Sequence, residues 1–338
     1  MSELLPLTRV AYQAQQAALR WSLVVAHASI RPFVPRDRKP SQRDLRQLRR
    51  RLEQLFERDL HNVEVGDYPA ELLFQMPVRE YAGALPQLAA ELPRMAWRAR
   101  RRAVRELPAD VDLARYPDYF RRNFHWQTDG YLSHRSAKLY DLGVEFLFLG
   151  TADVMRRQVI PPLSRFGREV PGPKRVLDVG CGTGRALLQM ALAHPEHHYS
   201  GVDLSPFYLE RARELLAGRG ISLQNENAEK LPFPDASFDV VTSVYLFHEL
   251  PRRARRNVLH EMRRVLAPGG LLVLEDSAQL NDAPELATFL ENFGRDMNEP
   301  FFLDYLANGL EADAEDAGFT LERVEPCFLS KVVVARVR

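Results

Sequence analysis

Cysteine and lysine are scarce in this chain of 338 residues, and neither sign of charge dominates it. Its two cysteines, Cys181 and Cys327, exclude a disulfide framework. No histidine is spaced to join them in a zinc pattern, so no metal is expected, and a reducing cytoplasm suits such a chain. Lysine accounts for five of the 46 basic residues. A net charge of +1 excludes a global field that would recruit nucleic acid or a membrane surface. The charge is uneven all the same: residues 1–106 carry 19 Lys and Arg against 12 Asp and Glu, and residues 107–338 carry 27 against 33. Long apolar runs are missing too. The best candidate for a secretory core, residues 21–30, is short and interrupted by His27, with Glu3 where basic residues would stand. Neither a signal peptide nor a membrane span is expected. No internal repeat or low-complexity tract is present.

With 46% hydrophobic and 27% charged residues, the chain has the composition of a globular protein long enough for more than one domain. Val10, Ala14, Ala17, Ala18, Trp21, Val24 and Val25 recur at helical spacing and predict a helix over residues 8–30. Three prolines make residues 31–40 a linker. Ser41 with Asp44 forms a capping-box pattern, followed by the apolar stripe Leu45, Leu48, Leu52, Leu55, Phe56 and Leu60. Arg46, Arg49, Arg50 and Arg51 lie mostly off that stripe and read as a solvated face rather than an RNA-binding patch. Pro69, Pro77, Pro86 and Pro93 predict short helices in angled succession, and residues 94–105 form a second basic run on a helix.

Residues 116–141 mix rings with His125, Gln127, Thr128, Asp129, Ser133 and His134. Concave sites use rings for area and a few polar groups for orientation; a packing seam with internally satisfied polar atoms is the other reading. A helix is predicted to continue over residues 144–158. From residue 175 strands and helices alternate, the pattern of a mostly parallel sheet covered on both faces. Strands are expected near 175–179, 198–202, 222–225, 238–243, 270–275, 320–327 and 331–337. The last two have no helix between them and must pair antiparallel.

The centre of this half is the stretch Asp178-Val-Gly-Cys-Gly-Thr-Gly184. Its glycines allow a sharp turn and close approach of a ligand, and the helix that follows presents backbone N–H groups to an anion. The spacing is G-x-G-x-G, with Arg185 where a dinucleotide fingerprint wants glycine. The stretch resembles motif I of the class I S-adenosylmethionine-dependent methyltransferases. Support comes from the acid Asp203 ending the second strand, from Asn227-Ala-Glu-Lys-Leu-Pro-Phe-Pro after the third, and from Leu266-Ala-Pro-Gly-Gly before the fifth. The similarity is greatest to the small-molecule group that includes the ubiquinone/menaquinone C-methyltransferases, although Asn227 stands where that family usually has Asp.

The resemblance implies S-adenosylmethionine held by Asp178, Gly180, Cys181, Gly182, Gly184, Asp203, Leu204, Asn227, Ala228, Val244 and Tyr140. It implies a seven-stranded Rossmann-like sheet with an antiparallel last strand, preceded by an all-α region. The expected divisions are a helical region over 1–110, an aromatic-rich cap over 111–160 and a methyltransferase domain over 161–338. An acceptor would lie beyond the ends of the fourth and fifth strands. There Tyr245 and His248 are candidates, His248 as general base, with His125, Asp129 and Tyr131 as rivals from the aromatic stretch. Glu249 is expected to be solvated or paired with Arg252 or Arg253. The predicted function is methyl transfer to a small organic acceptor, with O-, N- and C-methylation all open. An RNA or protein methyltransferase docking through the Arg-rich helices is the alternative, and a nucleoside-binding protein that kept the fold is a third. No specific nucleic-acid partner is expected, and a homo-oligomer is left open.

Overall fold

Seven strands follow one another from Arg175: β1 (Arg175–Val179), β2 (His198–Asp203), β3 (Ser222–Asn225), β4 (Phe238–Val244), β5 (Leu266–Ser277), β6 (Phe319–Cys327) and β7 (Ser330–Val337). In this computed structural model, which describes backbone over residues 4–30 and 41–338 and side chains over 6–21 and 41–338, they form one sheet of order β3-β2-β1-β4-β5-β7-β6. The linker expected over 31–40 lies outside the described residues. Leu177 sits beside Ser200 and Val241 in parallel register. β7 runs antiparallel to both β5 and β6, with Val333 beside Leu274 and Val324. Only two residues separate β6 from β7, too few for a parallel crossover. Because the strand order reverses between β1 and β4, a crevice opens at the carboxyl ends of those strands.

Alternate strand residues feed two cores, as the two-residue period requires. Val176, Val240 and Val273 face one side, where they join Leu187 and Met190 of α7 (Arg185–Ala193). Leu177, Val241 and Leu272 face the other, against Leu259 and Met262 of α9 (Arg252–Val265). The first core also contains Tyr12 of α1 (Leu4–Ile30) and Leu55, Phe56 and Leu60 of α2 (Gln42–Glu64). The amino-terminal helices therefore share a core with the sheet across the expected boundary at residue 110. Asp59 locks them in place. It accepts from Tyr12, from Tyr68 at 2.5 Å and from Arg157 Nε at 3.1 Å, all of them buried.

The capping box forms as expected. Ser41 Oγ accepts from Asp44 N at 3.1 Å and Asp44 Oδ2 accepts from Ser41 N at 2.8 Å. The angled short helices do not. Pro86 and Pro93 lie inside one continuous helix, α3 (Val78–Arg101). Each proline removes one intrahelical bond, and tertiary contacts keep the helix continuous past them. Tyr81, Ala84 and Leu88 pack on Leu139 and Leu142 of α4 (His134–Leu147), and Arg135 of α4 pairs with Glu91 at 2.7 Å. The helix expected over 144–158 is broken instead. Leu149 and Gly150 both take positive φ, and the chain resumes as α5 (Ala152–Arg156) and α6 (Ile160–Glu169). The remaining helices are α8 (Pro206–Leu215), α10 (Ala287–Asp296), α11 (Phe302–Ala307) and α12 (Leu310–Asp316). Among the described residues no helix is long and apolar enough to cross a membrane.

The basic runs are only partly solvated. Arg51 donates to Phe328 O and Asp282 O, each at 2.8 Å, and so ties α2 to the sheet. Arg98 is buried and donates to Glu91 at 2.8 Å and to Trp126 O at 2.7 Å. Arg46, Arg49 and Arg50 are exposed as expected.

Candidate active site

β1 runs straight into the glycine turn because its four buried residues leave the sheet at Gly180. Gly180, Gly182 and Gly184 have φ of 72°, 52° and 82°. A Cβ on Gly180 would press on Leu246 at 3.1 Å, and one on Gly184 would strike Leu216, just past the end of α8, at 2.9 Å. A Cβ on Gly182 would meet nothing within 4 Å: it would project into open space. That space is a small cleft of about 100 Å³, lined by Gly180, Gly182, Asp203, Leu204, Asn227, Ala228, Val244 and Tyr140. α7 starts at the turn with no side chain capping it, which leaves its first N–H groups for a ligand.

Asp203 is set by two backbone donors, Gly182 N at 2.9 Å and Ser205 N at 2.8 Å. Burial raises its pKa to about 6 while those bonds pull it down, so the carboxylate is charged at neutral pH. The other expected cofactor residues divide. Asp178, Cys181 and Gly184 line neither the cleft nor the cavity beside it. Asp178 is buried under the turn, where burial raises its pKa to about 7 and Thr242 donates to it at 2.7 Å. The Cys181 sulfur lies 2.8 Å from the place a Cβ on Gly201 would take, inside the sheet core. These residues shape the turn from behind. The Asn227 side-chain oxygen accepts from Glu229 N at 2.9 Å, so it builds the local turn as well as facing the cleft.

Beyond the ends of β4 and β5 lies a second, far larger cavity of about 1080 Å³. α3 supplies Leu88, Leu92, Met95, Ala96 and Ala99, α4 supplies Leu139 and Val144, and α10 supplies Phe289 and Phe293. Phe148 and Tyr245 stack at 5.9 Å on its inner wall. The cavity and the cleft share Tyr140, Tyr245 and Glu249 as a common wall. The aromatic stretch closes this junction. Phe120, Phe124, Tyr131 and Tyr140 line the cleft, and Tyr131 stacks on Phe124 at 5.3 Å. Two ties hold it to the end of α10 and the residues just after it: Trp126 Nε1 donates to Asp296 O at 2.7 Å, and Asn298 Nδ2 to Asn123 O at 2.6 Å.

At the junction stands a residue that sequence reasoning misjudged. Glu249 is neither solvated nor paired with Arg252, which reaches Asp313 instead. Its side chain is 13% exposed, accepts from the Tyr131 hydroxyl, and has His125 Nε2 3.4 Å away. His125 Nδ1 lies 3.0 Å from Glu299, a buried acid that carried no signal in the sequence. Burial alone would lower the pKa of His125, but the two carboxylates raise it to about 10, so it is an imidazolium at neutral pH.

His248 also departs from expectation. Its Nδ1 lies 2.7 Å from Asp276, whose charge outweighs burial and raises the histidine to about 9. It is therefore already protonated near neutrality and is no free base there. Tyr245 turns its hydroxyl away from both cavities, to Ser330 Oγ at 2.8 Å and Met155 Sδ at 3.2 Å, so only its ring faces them. Asp129, in a turn at φ 67°, lines neither cavity.

The sheet with its antiparallel final strand, the glycine turn after β1 and the acid at the end of β2 form the arrangement expected from the resemblance to class I methyltransferases. Residues 176–270 match the family model described as a methyltransferase domain. The chain is similar to a ubiquinone/menaquinone biosynthesis C-methyltransferase of Desulfotalea psychrophila, 36% identical over 138 residues that cover 41% of this chain and 53% of that one. It is similar also to a fatty-acid O-methyltransferase of Mycolicibacterium smegmatis, 31% identical over 157 residues that cover 46% of this chain and 57% of that one. The chain thus spans about half the length of these curated relatives.

Proposed function

We propose that this protein transfers the methyl group of S-adenosylmethionine to an apolar organic acceptor. One observation carries the reading: the glycine-turn cleft and the large cavity meet at a shared wall of Tyr140, Tyr245 and Glu249. Two reactants would then face each other at that wall. S-adenosylmethionine supplies an already activated methyl, so the protein's task is to position the pair and exclude water, which is worth roughly 7–11 kcal/mol of barrier. The residues of the cleft suit the cofactor. Asp203 offers its carboxylate to a ribose hydroxyl pair, the open space over Gly182 admits a ligand close to the backbone, and Leu204 and Ala228 offer apolar surface to a base.

Most of the larger cavity is walled by aliphatic and aromatic side chains, which suits an acceptor with a sizeable apolar body. Glu249 is the group placed to take a proton from an acceptor that arrives as a phenol, an acidic carbon or an ammonium. Tyr131 and His125 hold its carboxylate at the junction. The acceptor gains a methyl and releases one proton to Glu249. Docking of RNA through the arginines has less support, because Arg51 and Arg98 are spent on internal contacts.

The test is native mass spectrometry of the intact protein for a co-purifying apolar molecule, followed by transfer of labelled methyl from S-adenosylmethionine to that molecule. Stoichiometric cofactor binding with methyl transfer to the bound molecule is expected. Failure of the purified protein to bind S-adenosylmethionine refutes the reading.

A further inference from the structure

The turn from α7 into β2 reads His194-Pro-Glu-His-His198 and lies at the amino-terminal edge of the sheet, the end opposite the two cavities. Hydrogen bonding assigns the histidine tautomers there. Ser164 Oγ lies 2.7 Å from Asp67 O, 3.0 Å from Ile160 O and 2.6 Å from His194 Nε2. A hydroxyl has one hydrogen, and carbonyl oxygens only accept. The hydrogen of Ser164 therefore goes to a carbonyl, and His194 Nε2 must carry the hydrogen shared with Ser164. In the neutral ring this leaves Nδ1 as a bare lone pair. His197 Nδ1 accepts a long bond of 3.4 Å from the backbone N–H of Lys174, so it carries no hydrogen of its own.

Both of these unprotonated nitrogens face the same carboxylate. Glu196 Oε1 is 3.4 Å from His194 Nδ1 and 3.6 Å from His197 Nδ1. Three acceptors turned toward one another, met only by the long contact from Lys174 N–H, repel, and a shared cation removes the repulsion. Two extra protons would not serve, because the rings stack 16° from parallel with centroids 5.4 Å apart and would become adjacent cations.

We propose that His194, Glu196 and His197 form a binding site for a divalent cation of borderline softness, zinc foremost. Two imidazoles and one carboxylate are a donor set that zinc uses, and tetrahedral zinc with bonds of about 2.0–2.1 Å separates neighbouring donors by roughly 3.4 Å. The potential ligand atoms here all fall within 4.8 Å of one another. Ser164 is the outer hydrogen-bond partner that orients a ligating histidine and sets its tautomer. Glu196 keeps 53% of its side chain exposed, which gives an ion a path in and leaves its fourth position to water. His194 is also tied through Ser164 to α6 and to the Asp67 loop. A bound ion therefore clamps the amino-terminal region onto the turn that starts β2. Cysteine spacing in the sequence gives no hint of this site, whose ligands are imidazole and carboxylate and whose orienting hydroxyl comes from 30 residues away.

The experiment is calorimetric titration of zinc into the full-length, untagged protein after dialysis against chelator. One zinc per chain is expected, with binding weakened at least tenfold in Glu196→Gln and in His194→Gln. His198→Asn, which removes the exposed neighbouring ring, should bind as the wild type does. Magnesium should give no heat. Cobalt loaded in place of zinc should show the visible absorption of a four-coordinate ion without a thiolate band, because Cys181 and Cys327 are buried elsewhere. Glu196→Gln alters an exposed side chain, so it tests the site even where His194→Gln impairs folding. Absence of stoichiometric zinc binding overturns the proposal. Binding that survives Glu196→Gln within twofold overturns it equally.

Discussion

Tyr131 donates its hydroxyl hydrogen to Glu249, a residue 118 positions further along the chain. That one bond joins the aromatic stretch to the end of β4 where the cleft and the large cavity meet. If Glu249 accepts the acceptor's proton, Glu249→Gln should lower product formation by about 10²–10⁴ while cofactor affinity changes only a few-fold. Tyr131→Phe should produce a smaller loss, mainly in kcat, with an altered pH profile. Steady-state kinetics with the identified acceptor decides, and full activity in Glu249→Gln removes it from the mechanism.

Asp203 has both carboxylate oxygens fixed by backbone N–H groups, so Asp203→Ala should remove a preformed acceptor without disturbing the sheet. Each lost hydrogen bond to a charged group costs about 1.5–3 kcal/mol, and calorimetry should show S-adenosylmethionine affinity reduced accordingly. Gly182→Val should abolish binding, since its side chain would fill the cleft. Unchanged affinity in a folded Asp203→Ala protein would contradict the assignment.

His125 and His248 make stability fall as pH rises. His125 is raised to about 10 by Glu299 and Glu249 against burial, and His248 to about 9 by Asp276. An unfolded histidine titrates near 6.5, so between that pH and the folded values the native state holds more protons. Stability contributed by each group is complete below about pH 6.5 and is lost progressively up to its folded pKa, at up to roughly 1.4 kcal/mol per pH unit. Burial also raises Glu275 to about 8, which gives a slope of the same sign at lower pH. In the window from pH 8 to 9.5 the thiols of Cys181 and Cys327, raised by burial, add a slope of the same sign, so the histidine share is the difference between wild type and variant. Denaturant unfolding across it should give a steeper decline for the wild type than for His125→Gln or His248→Gln, and identical slopes would refute the assignment.

Neighbouring arginines of α2 should behave oppositely. Arg51→Ala loses two bonds to backbone carbonyls of the sheet domain and should lower the melting temperature by several degrees. Neutralising Arg46, Arg49 and Arg50 together should change stability by no more than about 0.5 kcal/mol per site and leave methyl transfer intact. Loss of transfer in that triple variant, in step with ionic strength, would revive the RNA reading.

The glycine turn, the acid ending β2, the positions of the strands along the chain and the antiparallel final pair were all legible in the sequence, because each rests on local chemistry. Positive φ demands glycine, a buried strand demands apolar residues, and a two-residue link between β6 and β7 permits only a hairpin. Short-range patterns could not predict α3 passing through Pro86 and Pro93, since packing on α4 offsets the bonds those prolines remove. Nor could they separate the residues of the turn that face the cleft, Gly180 and Gly182, from Asp178 and Cys181 that support it from behind. The junction was least legible of all. Glu249 beside two arginines has the look of a surface acid, and Glu299 has no pattern around it. Only the folded chain carries Tyr131, His125 and Glu299 to Glu249, over sequence separations that no periodicity reports. Burial there turns ordinary side chains into a fixed charge cluster, because low solvent exposure strengthens every ion pair the tertiary structure brings together.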